Sequence, residues 1–511
     1  MRSTRIPHTE LPGTTSLFAD YLYHFDRVSR FYAHDPHDPE ALRRAAITAH
    51  IPDESRQALV SALRLTNGET SELAQLELPD TVAVVTGQQV GLFAGPAYTI
   101  YKALAAVRLA RQLSDLGLRA VPVFWLATED HDLAEVDHAW IFNSRQQPVK
   151  LSAESNGQSG SPVGNIEITR SPLPALAREL QGFLYADEVL GIVEDCYQPG
   201  RTYGEAFRCL LQRLLAGYGL IFFDPLQPEL RRLAAPFLHA AFERRQDLLA
   251  ALLQRGVELE HAGYHAQVLV EPNSSLFFKL ENGRRLKLDP SEHVEDPATL
   301  SPNALLRPVM QDSLLPTAAI IGGPAELAYL AQSQVLYHSL LGRMPVAAPR
   351  AGFTLLDERA HSLMGRYGIT LTDCFHGEAT LKERVARRLI PENLTVTFED
   401  VTSEVRNSLD RLYRELHAFD PTLGEALTRS RAKVLYQVEK NRKKAAREAL
   451  RRNTQVDDSA SHLSGLVYPE HHLQERLYSI LPFLARHGFD LLDTLYENAQ
   501  PGCPDHLLLT I

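Results

Sequence analysis

The feature that most constrains this sequence is a strand, loop, helix and strand succession at 81–127. TVAVVT at 81–86 is a β-branched run of strand length, GQQVGLFAGP follows at 87–96, a helix is predicted over about 97–116, and AVPVFWLA at 120–127 is a second apolar run. Two strands joined through a helix are parallel neighbours, and a parallel sheet needs helices on both faces. Ile100, Leu104 and Val107 share one side of that helix, and Leu109, Leu113 and Leu116 extend the apolar surface. Pro96 suits its first turn and Gly117 its stop.

The alternation resumes with a helix near 203–216, the strand GLIFFDP at 219–225 and a long helix predicted over about 228–258. A second unit, PTAAIIGGPAELAYLAQSQVLYHSLLGRMPVAAPR, reads as strand, Gly-Gly-Pro turn, helix, glycine stop and strand over 316–350. The expected fold is α/β with a doubly wound parallel sheet over 81–395. A β-rich insertion is predicted at about 260–300, where HAQVLVEP, SSLFFKL and RRLKL read as short strands and Asn282-Gly283 is a strong hairpin signal. Residues 1–80 read as a helical lead-in packed on the core, with apolar stripes in LFADYLYHF and ESRQALVSALRL.

From about residue 396 the period changes. Val401, Val405, Leu409, Leu412, Leu416 and Phe419 recur at three- and four-residue steps before Asp420-Pro421 turns the chain. Leu423, Leu427, Val434, Val438, Ala445 and Ala449 then mark a heptad seam that includes Asn441. An antiparallel coiled-coil arm is predicted over 396–458, with 459–511 returning to the core. Between 429 and 452 ten Lys or Arg meet only Glu439 and Glu448, a local +8. A solvated helix face and a dock for an anionic ligand or an acidic partner both explain that stripe.

Composition bounds the class of protein. At 511 residues the chain allows roughly two to four domains. A net charge of -11 argues against gripping duplex nucleic acid by phosphate neutralisation, so no nucleic-acid partner is expected. The N-terminus lacks a secretory apolar core, and no stretch offers the ~18 apolar residues of a membrane span. No membrane partner and a cytoplasmic location are therefore expected. Cys196, Cys209, Cys374 and Cys503 stand without a CxxC pair, which supports neither a disulfide framework nor a thiolate zinc site.

Three segments carry groups suited to chemistry. VTGQQVGLFAGPAYT at 85–99 follows a parallel strand, where loop amides and a helix N-terminus converge on ligands. Its candidates are Thr86, Gly87, Gln88, Gln89, Gly95, Pro96 and Tyr98, and Lys102 shares a helix face with Tyr98. It is neither GxGxxG nor GxxxxGK[ST], so an anion pocket and a plain tight turn both stand. EDHDLAEVDH at 129–138 follows the next strand, and Glu129, Asp130, His131 and Asp132 are its candidates for proton transfer. On a helix, His131, Glu135 and His138 would share one face and could ligate a divalent metal. The acids could instead complement a helix N-terminus. In the third segment, 304–332, Arg307 can hold a carboxylate bidentately and Gln311 and Asp312 can orient it. Gly322 and Gly323 repeat the logic of the first loop, with Glu326 and Tyr329 at i and i+3 on the following helix. The two glycine-rich loops are expected to face one crevice.

In order, TGQQVGLFAGPAYT, VPVFWLATEDHDLAEVDH, LRPVMQDSLLPTAAIIGGPAELAYLAQ, the late helical hairpin and HLQERLYSILPFL resemble the BshC family of bacillithiol biosynthesis, from about Thr14 to the C-terminus. The resemblance implies a Rossmann-like core with connecting insertions, related to class I aminoacyl-tRNA synthetases, and a coiled-coil arm that makes a homodimer. It implies the last pathway step, in which L-cysteine is joined through its carboxyl group to the amine of glucosamine malate. ATP enters by the same analogy, because neither HIGH nor KMSKS is present. Position by position, Thr86, Gly87, Gln88 and Gln89 match the family's first loop, and Gly95, Pro96 and Tyr98 the start of the helix after it. Residues 129–132 match its acidic motif, and Arg307, Gln311, Gly322, Gly323 and Glu326 its third motif. Amide formation requires an activated carboxylate, most simply an acyl-adenylate, and a deprotonated amine, for which His131 or a neighbouring carboxylate is suited. The competing readings are a metal-dependent hydrolase using the 129–138 cluster and a non-enzymatic, dimeric nucleotide-binding scaffold.

Overall fold

The computed structural model describes residues 2–289, 292–452 and 454–511. Positions 290–291 of the β-rich insertion and 453 of the arm lie outside the described residues, as do the side chains of 450 and 454–457.

Five parallel strands form the central sheet: β1 (Val82–Gln88), β2 (Ala120–Leu126), β3 (Ile221–Phe223), β4 (Thr317–Gly322) and β5 (Val346–Pro349). Their order is β5-β4-β1-β2-β3. The chain starts in the middle, winds out through β2 and β3, then returns to lay β4 and β5 on the other side of β1. This is the doubly wound order of a Rossmann-like fold, and its switch point lies between β1 and β4.

Period-two alternation in β1 explains the layering. Val82 and Val84 pack with Ile100, Leu104 and Leu109 of α1 (Tyr98–Asp115), whereas Ala83 and Val85 pack with Leu59, Leu63 and Leu73 of the lead-in helices. Both faces are dry, so β1 reads as a continuous apolar run. The predicted α1 surface stops short of Leu116, which caps the helix and is 66% exposed. α2 (Arg307–Leu314) and α3 (Pro324–Leu341) add Val309, Met310, Leu327, Leu330 and Leu336 to the second face.

The insertion departs from the sequence expectation. Phe277–Glu281 and Arg284–Lys287 form the hairpin, with Asn282 at φ 51° and Gly283 at φ 73° in its turn, and Leu300–Pro302 adds a third strand. HAQVLVEP forms no strand. The Val268 N–H and C=O each bond the Gln332 side-chain amide at 2.9 Å, which satisfies them without a ladder partner. The long helix predicted over 228–258 is two helices, Pro228–Glu243 and Arg245–His261, broken at Arg244.

A second sheet ties the ends of the chain together. Arg2–Ile6 pairs antiparallel with His506–Thr510, which runs parallel to Phe353–Leu356. The arm is an antiparallel hairpin of α4 (Glu392–Phe419) and α5 (Pro421–Arg451). Asn441 is exposed and donates to its own helix at Gln437 O (3.1 Å), so it fixes no register inside the hairpin. Part of the basic stripe is neutralised locally, by Asp410 on Arg431 and by Glu383 on Lys443.

The cysteine expectation is corrected. Cys196, ending the helix Ala186–Cys196, is joined by a disulfide to Cys209 in the helix Tyr203–Leu214, with Cα atoms 5.4 Å apart. Packing of two successive helices brings the sulfurs together, which no short spacing motif announces. Cys374 is buried, and burial pushes its thiol up to about 12, which makes it a poor nucleophile. Among the described residues no helix is long and apolar enough to cross a membrane.

Candidate active site

A cleft of about 560 Å³ opens at the carboxyl ends of β1, β2 and β4, beside the switch point. Both glycine-rich loops reach it: Gly87, Gln88 and Gln89 from the first, Gly323 with Pro324, Ala325 and Glu326 from the second. Gly87 must be glycine for the sheet itself, because a Cβ there would stand 2.8 Å from Trp125 O on β2.

Lys102 is the post between the loops. Its side chain is 1% exposed, and Nζ lies 2.7 Å from Glu326 Oε2 while donating to Gly87 O and to Gln88 Oε1 (3.2 Å). Burial pulls the Lys102 pKa below the ordinary lysine value, and the Glu326 carboxylate opposes that fall. Glu326 Oε2 also accepts the Gly323 N–H (2.9 Å), so that amide is committed to the helix cap. Gln88 Nε2 donates to Tyr98 OH (3.1 Å), which completes the floor.

Arg307, at the start of α2, faces the cleft near the Trp125 ring (5.7 Å to the centroid). Its guanidinium donates to Gln311 Oε1 (3.2 Å) and to Tyr329 OH (3.1 Å), and Gln311 is in turn held by Asp312 Oδ1 (3.0 Å). Asp312 is buried and its pKa is raised by desolvation, while Tyr337 donates a hydrogen bond to it. Among the described residues no carboxylate lies within ion-pair distance of Arg307. The cleft thus holds an oriented cation without a counter-ion.

The acidic segment supplies opposite charge, although not as a helix. Only Leu133–Val136 is helical and His138 begins the strand His138–Phe142, so His131, Glu135 and His138 do not share a helical face. Among the described residues no group of three His, Cys, Asp or Glu side chains could hold a metal ion. The metal-site expectation is overturned, and so is the helix-capping one, because the acids precede a single turn whose cap receives no side-chain bond. Glu129 lines the cleft but is pinned by Arg231, and burial raises its pKa against the pull of that guanidinium. Asp130 also lines the cleft. It accepts from Gln89 Nε2 (2.7 Å) and from the His131 N–H (2.7 Å), and its nearest basic group in ion-pair range is His131 Nδ1 at 3.8 Å. His131 is not a lining residue. Its Nδ1 meets Arg285 Nη1 at 3.1 Å, and Arg285 lines the cleft with its guanidinium 3.9 Å over Phe278. Asp132 is exposed and lies outside the lining.

The remaining sequence candidates act behind the cleft. Thr86 Oγ1 donates to Ile321 O (3.0 Å), stapling β1 to β4. Gly95 has φ 64° and its N–H bonds Leu92 O (2.9 Å), so it shapes the loop without reaching the cavity; Pro96, Gly322 and Gln311 are likewise outside the lining. The expectation of one crevice for both loops holds for Gly87 and Gly323, not for Gly95. Sequence reasoning missed Trp125, Phe278, Arg285, Asn303, Arg350 and Arg476, all of which line the cleft. Arg350 was marked only by lying just past β5 at the sheet's carboxyl edge, and Arg476 only by HLQERLYSILPFL.

Comparison with known proteins agrees with this architecture. Residues 1–351 match the family model described as "Bacillithiol biosynthesis BshC, N-terminal Rossmann-like domain", and residues 353–511 match "Bacillithiol biosynthesis BshC, C-terminal coiled-coil domain". The chain is 51% identical to "Putative cysteine ligase BshC" of Solibacter usitatus (strain Ellin6076), over 100% of each chain. It is 37% identical to the protein of the same name from Koribacter versatilis (strain Ellin345), over 99% of each. A solved structure of "putative arginyl t-RNA synthetase" from Campylobacter jejuni covers 86% of this chain and 98% of its own at 9% identity and a TM-score of 0.23, too distant to bear on function. Matched in both halves and at 51% identity over its full length, the chain belongs to the BshC family of bacillithiol biosynthesis.

Proposed function

We propose that the cleft is the active site of a cytoplasmic, ATP-dependent ligase that forms an amide between the carboxyl group of L-cysteine and the amine of glucosamine malate. The observation that carries this reading is the pairing of chemistries in one cavity: among the described residues, Arg307 faces it with no carboxylate in ion-pair range and Asp130 faces it with no Lys or Arg in ion-pair range. A substrate pair that brings carboxylates and an ammonium group meets a complement for each.

The chain's residues divide the work. Arg307, aimed by Gln311 and Tyr329, binds a carboxylate and keeps it from rotating. Asp130 holds the substrate ammonium group and takes one proton from it, which frees the lone pair that attacks the activated carboxyl; the second proton leaves the nitrogen as the carboxyl's leaving group departs. Phe278, Trp125 and Val268 wall the cavity and exclude water. A carboxylate oxygen is a poor leaving group, and activation of that carboxylate is what ATP supplies when bound. The residues present fit a nucleotide: α3 opens on the cleft at Pro324, Ala325 and Glu326, its first turn leaves the Ala325 and Glu326 N–H groups without intrahelical partners, and Arg307 and Arg285 stand nearby.

In this reading 1–80 is the lead-in, 81–395 the core, 396–458 the arm and 459–511 the return segment. The arm makes a homodimer. Support for this comes from α4, which has no buried residue, and from Leu412, Phe419, Leu423, Val434 and Tyr436, which are exposed large apolar side chains on the hairpin.

Incubating purified protein with L-cysteine, glucosamine malate and ATP tests the reading by mass spectrometry. Bacillithiol and a nucleotide product are expected together. Nucleotide turnover that does not depend on L-cysteine, or no bacillithiol at all, would sink it.

A further inference from the structure

One wall of the cleft joins Arg350, at the end of the core sheet, to Arg476 from the C-terminal segment, and its charges are unevenly matched. Arg350, just past β5, and Arg476, in the single-turn helix Gln474–Leu477, set their guanidinium carbons 5.2 Å and 6.0 Å from the Tyr98 ring centroid. Arg350 is buried and neutralised. Its Nη1 lies 3.0 Å from Glu475 Oε2, and its Nη2 bonds Oε1 of the same carboxylate. Burial alone would raise the Glu475 pKa, but the Arg350 guanidinium wins and holds it down at about 2. Arg476, the next residue, is exposed, lines the cleft, and among the described residues has neither a side-chain hydrogen bond nor a carboxylate in ion-pair range.

The backbone that carries Arg476 is fastened on its N-terminal side. Glu475 Oε2 accepts the Phe353 N–H (3.0 Å), and the Gln474 amide bonds Leu355 N (2.7 Å), Leu355 O (2.9 Å) and Leu466 O (2.8 Å). Two buried polar side chains in succession, both fully engaged, hold the next residue at the rim of the cavity. A solvated surface arginine needs no such anchoring, whereas a guanidinium that must meet a ligand in one geometry gains from it.

We propose that Arg476 is a substrate-binding residue whose free guanidinium, beside Tyr98, holds an oxyanion of the substrates, and that Glu475 is the positioning residue that sets it there. The oxyanion is a carboxylate or a phosphate. This rests on reading the cleft as the substrate site, and it makes the C-terminal segment 459–511 part of that site.

The test uses the full-length protein with Arg476→Ala, Glu475→Gln and, as a charge control outside the cleft, Arg447→Ala. L-malate and ATP are titrated separately by calorimetry. Arg476→Ala should weaken one or both at least tenfold, and Arg447→Ala should change both less than twofold. Loss on malate identifies a carboxylate contact, and loss on ATP a phosphate contact. Glu475→Gln should weaken the same probe as Arg476→Ala and spare any that Arg476→Ala spares, a selectivity that general loss of stability would not produce. Unchanged binding in Arg476→Ala, or an equal loss in Arg447→Ala, overturns the Arg476 assignment, and a non-selective Glu475→Gln overturns the positioning role. Wild-type protein that binds neither probe overturns the reading of the cleft and this proposal with it.

Discussion

Lys102 Nζ lies 2.7 Å from Glu326 Oε2, and through that one contact the helix after β1 is joined to the helix after β4 across the switch point. The same ammonium group holds Gly87 O and Gln88 Oε1, and the same carboxylate caps Gly323. A buried ammonium that loses its partner costs far more than the pair contributes. Glu326→Gln should therefore destabilise the protein by about 2 kcal/mol, discounted because the Glu326 side chain is 25% exposed. Lys102→Met with Glu326→Gln should recover to within about 1 kcal/mol of wild type in urea denaturation. Ligand binding in the cleft should stay impaired, since both loops lose their tie.

Arg307 is aimed by Gln311 and Tyr329, so its replacement should be felt in binding more than in folding. Removing a desolvated, hydrogen-bonded charge costs about 2 to 5 kcal/mol of affinity, at least about thirtyfold. Arg307→Ala should show this with L-malate or ATP in calorimetry. Arg307→Lys should recover little, because an ammonium cannot bond Gln311, Tyr329 and a ligand in one plane.

Asp130 and His131 are neighbours with separable roles. Asp130→Asn should lower kcat for bacillithiol formation by about 10²- to 10⁴-fold, the usual weight of a proton-transfer group, with KM little changed. His131→Ala should instead raise KM, because the residue touches Arg285 and not the cavity. His131→Asn, which keeps an acceptor near the Nδ1 position, should recover most of that loss. A kcat collapse in His131→Asn would return the proton-transfer role to the histidine.

Behind Arg350 lies a buried imidazole. Burial pushes His506 down from 6.5 to about 4, and the nearby Arg350 charge adds to this against the pull of Glu475. His8, 6.0 Å away ring to ring, is pushed down to about 3, again chiefly by burial. Below pH 6.5 the unfolded chain binds protons that the native protein refuses. Stability should be flat above pH 6.5 and fall as the pH drops towards 4, by about 3 kcal/mol for His506 alone. Glu475 adds a further loss between about 4.5 and 2, because its folded pKa is depressed. Urea midpoints across this range check the slope, which His506→Asn should reduce above pH 4.5, leaving the His8 contribution.

The arm predicts its own assembly state. Val434 is 43% exposed and Phe419 is 84% exposed on the hairpin. If a second copy covers this surface, Val434→Asp should give monomers in sedimentation velocity with the helical signal retained. An unchanged dimer would assign assembly to another face.

Local pattern carried the elements that pair in sequence order. The run TVAVVT, the helix behind it and AVPVFWLA became β1, α1 and β2 because burial on both sheet faces leaves only apolar residues in strands and a helical period between them. The same logic marked β4, α3 and β5, and with them the two loops at the carboxyl edge. Candidate groups were legible when they followed such a strand directly, as Gln88, Gln89, Glu129 and Asp130 do. Local pattern failed where a long-range partner replaced a local one. HAQVLVEP has a strand's composition, but the Gln332 side chain takes its backbone bonds.

What the sequence by itself determined is the kind of sheet, the two loops, the arm and the family, because each is written in spacings shorter than about one β-α-β unit or in long ordered motifs. What only the tertiary structure decided is who stands opposite whom. Lys102 and Glu326 are separated by 224 residues, Arg285 and Arg476 by 191, and Arg350 and Glu475 by 125. Whether a charge is buried against a partner or left free for a ligand depends on those distances in space, since the interaction falls with separation and rises with desolvation. Arg350 and Arg476 are alike in the sequence, and only the fold gives Glu475 to one and leaves the other open to the cleft.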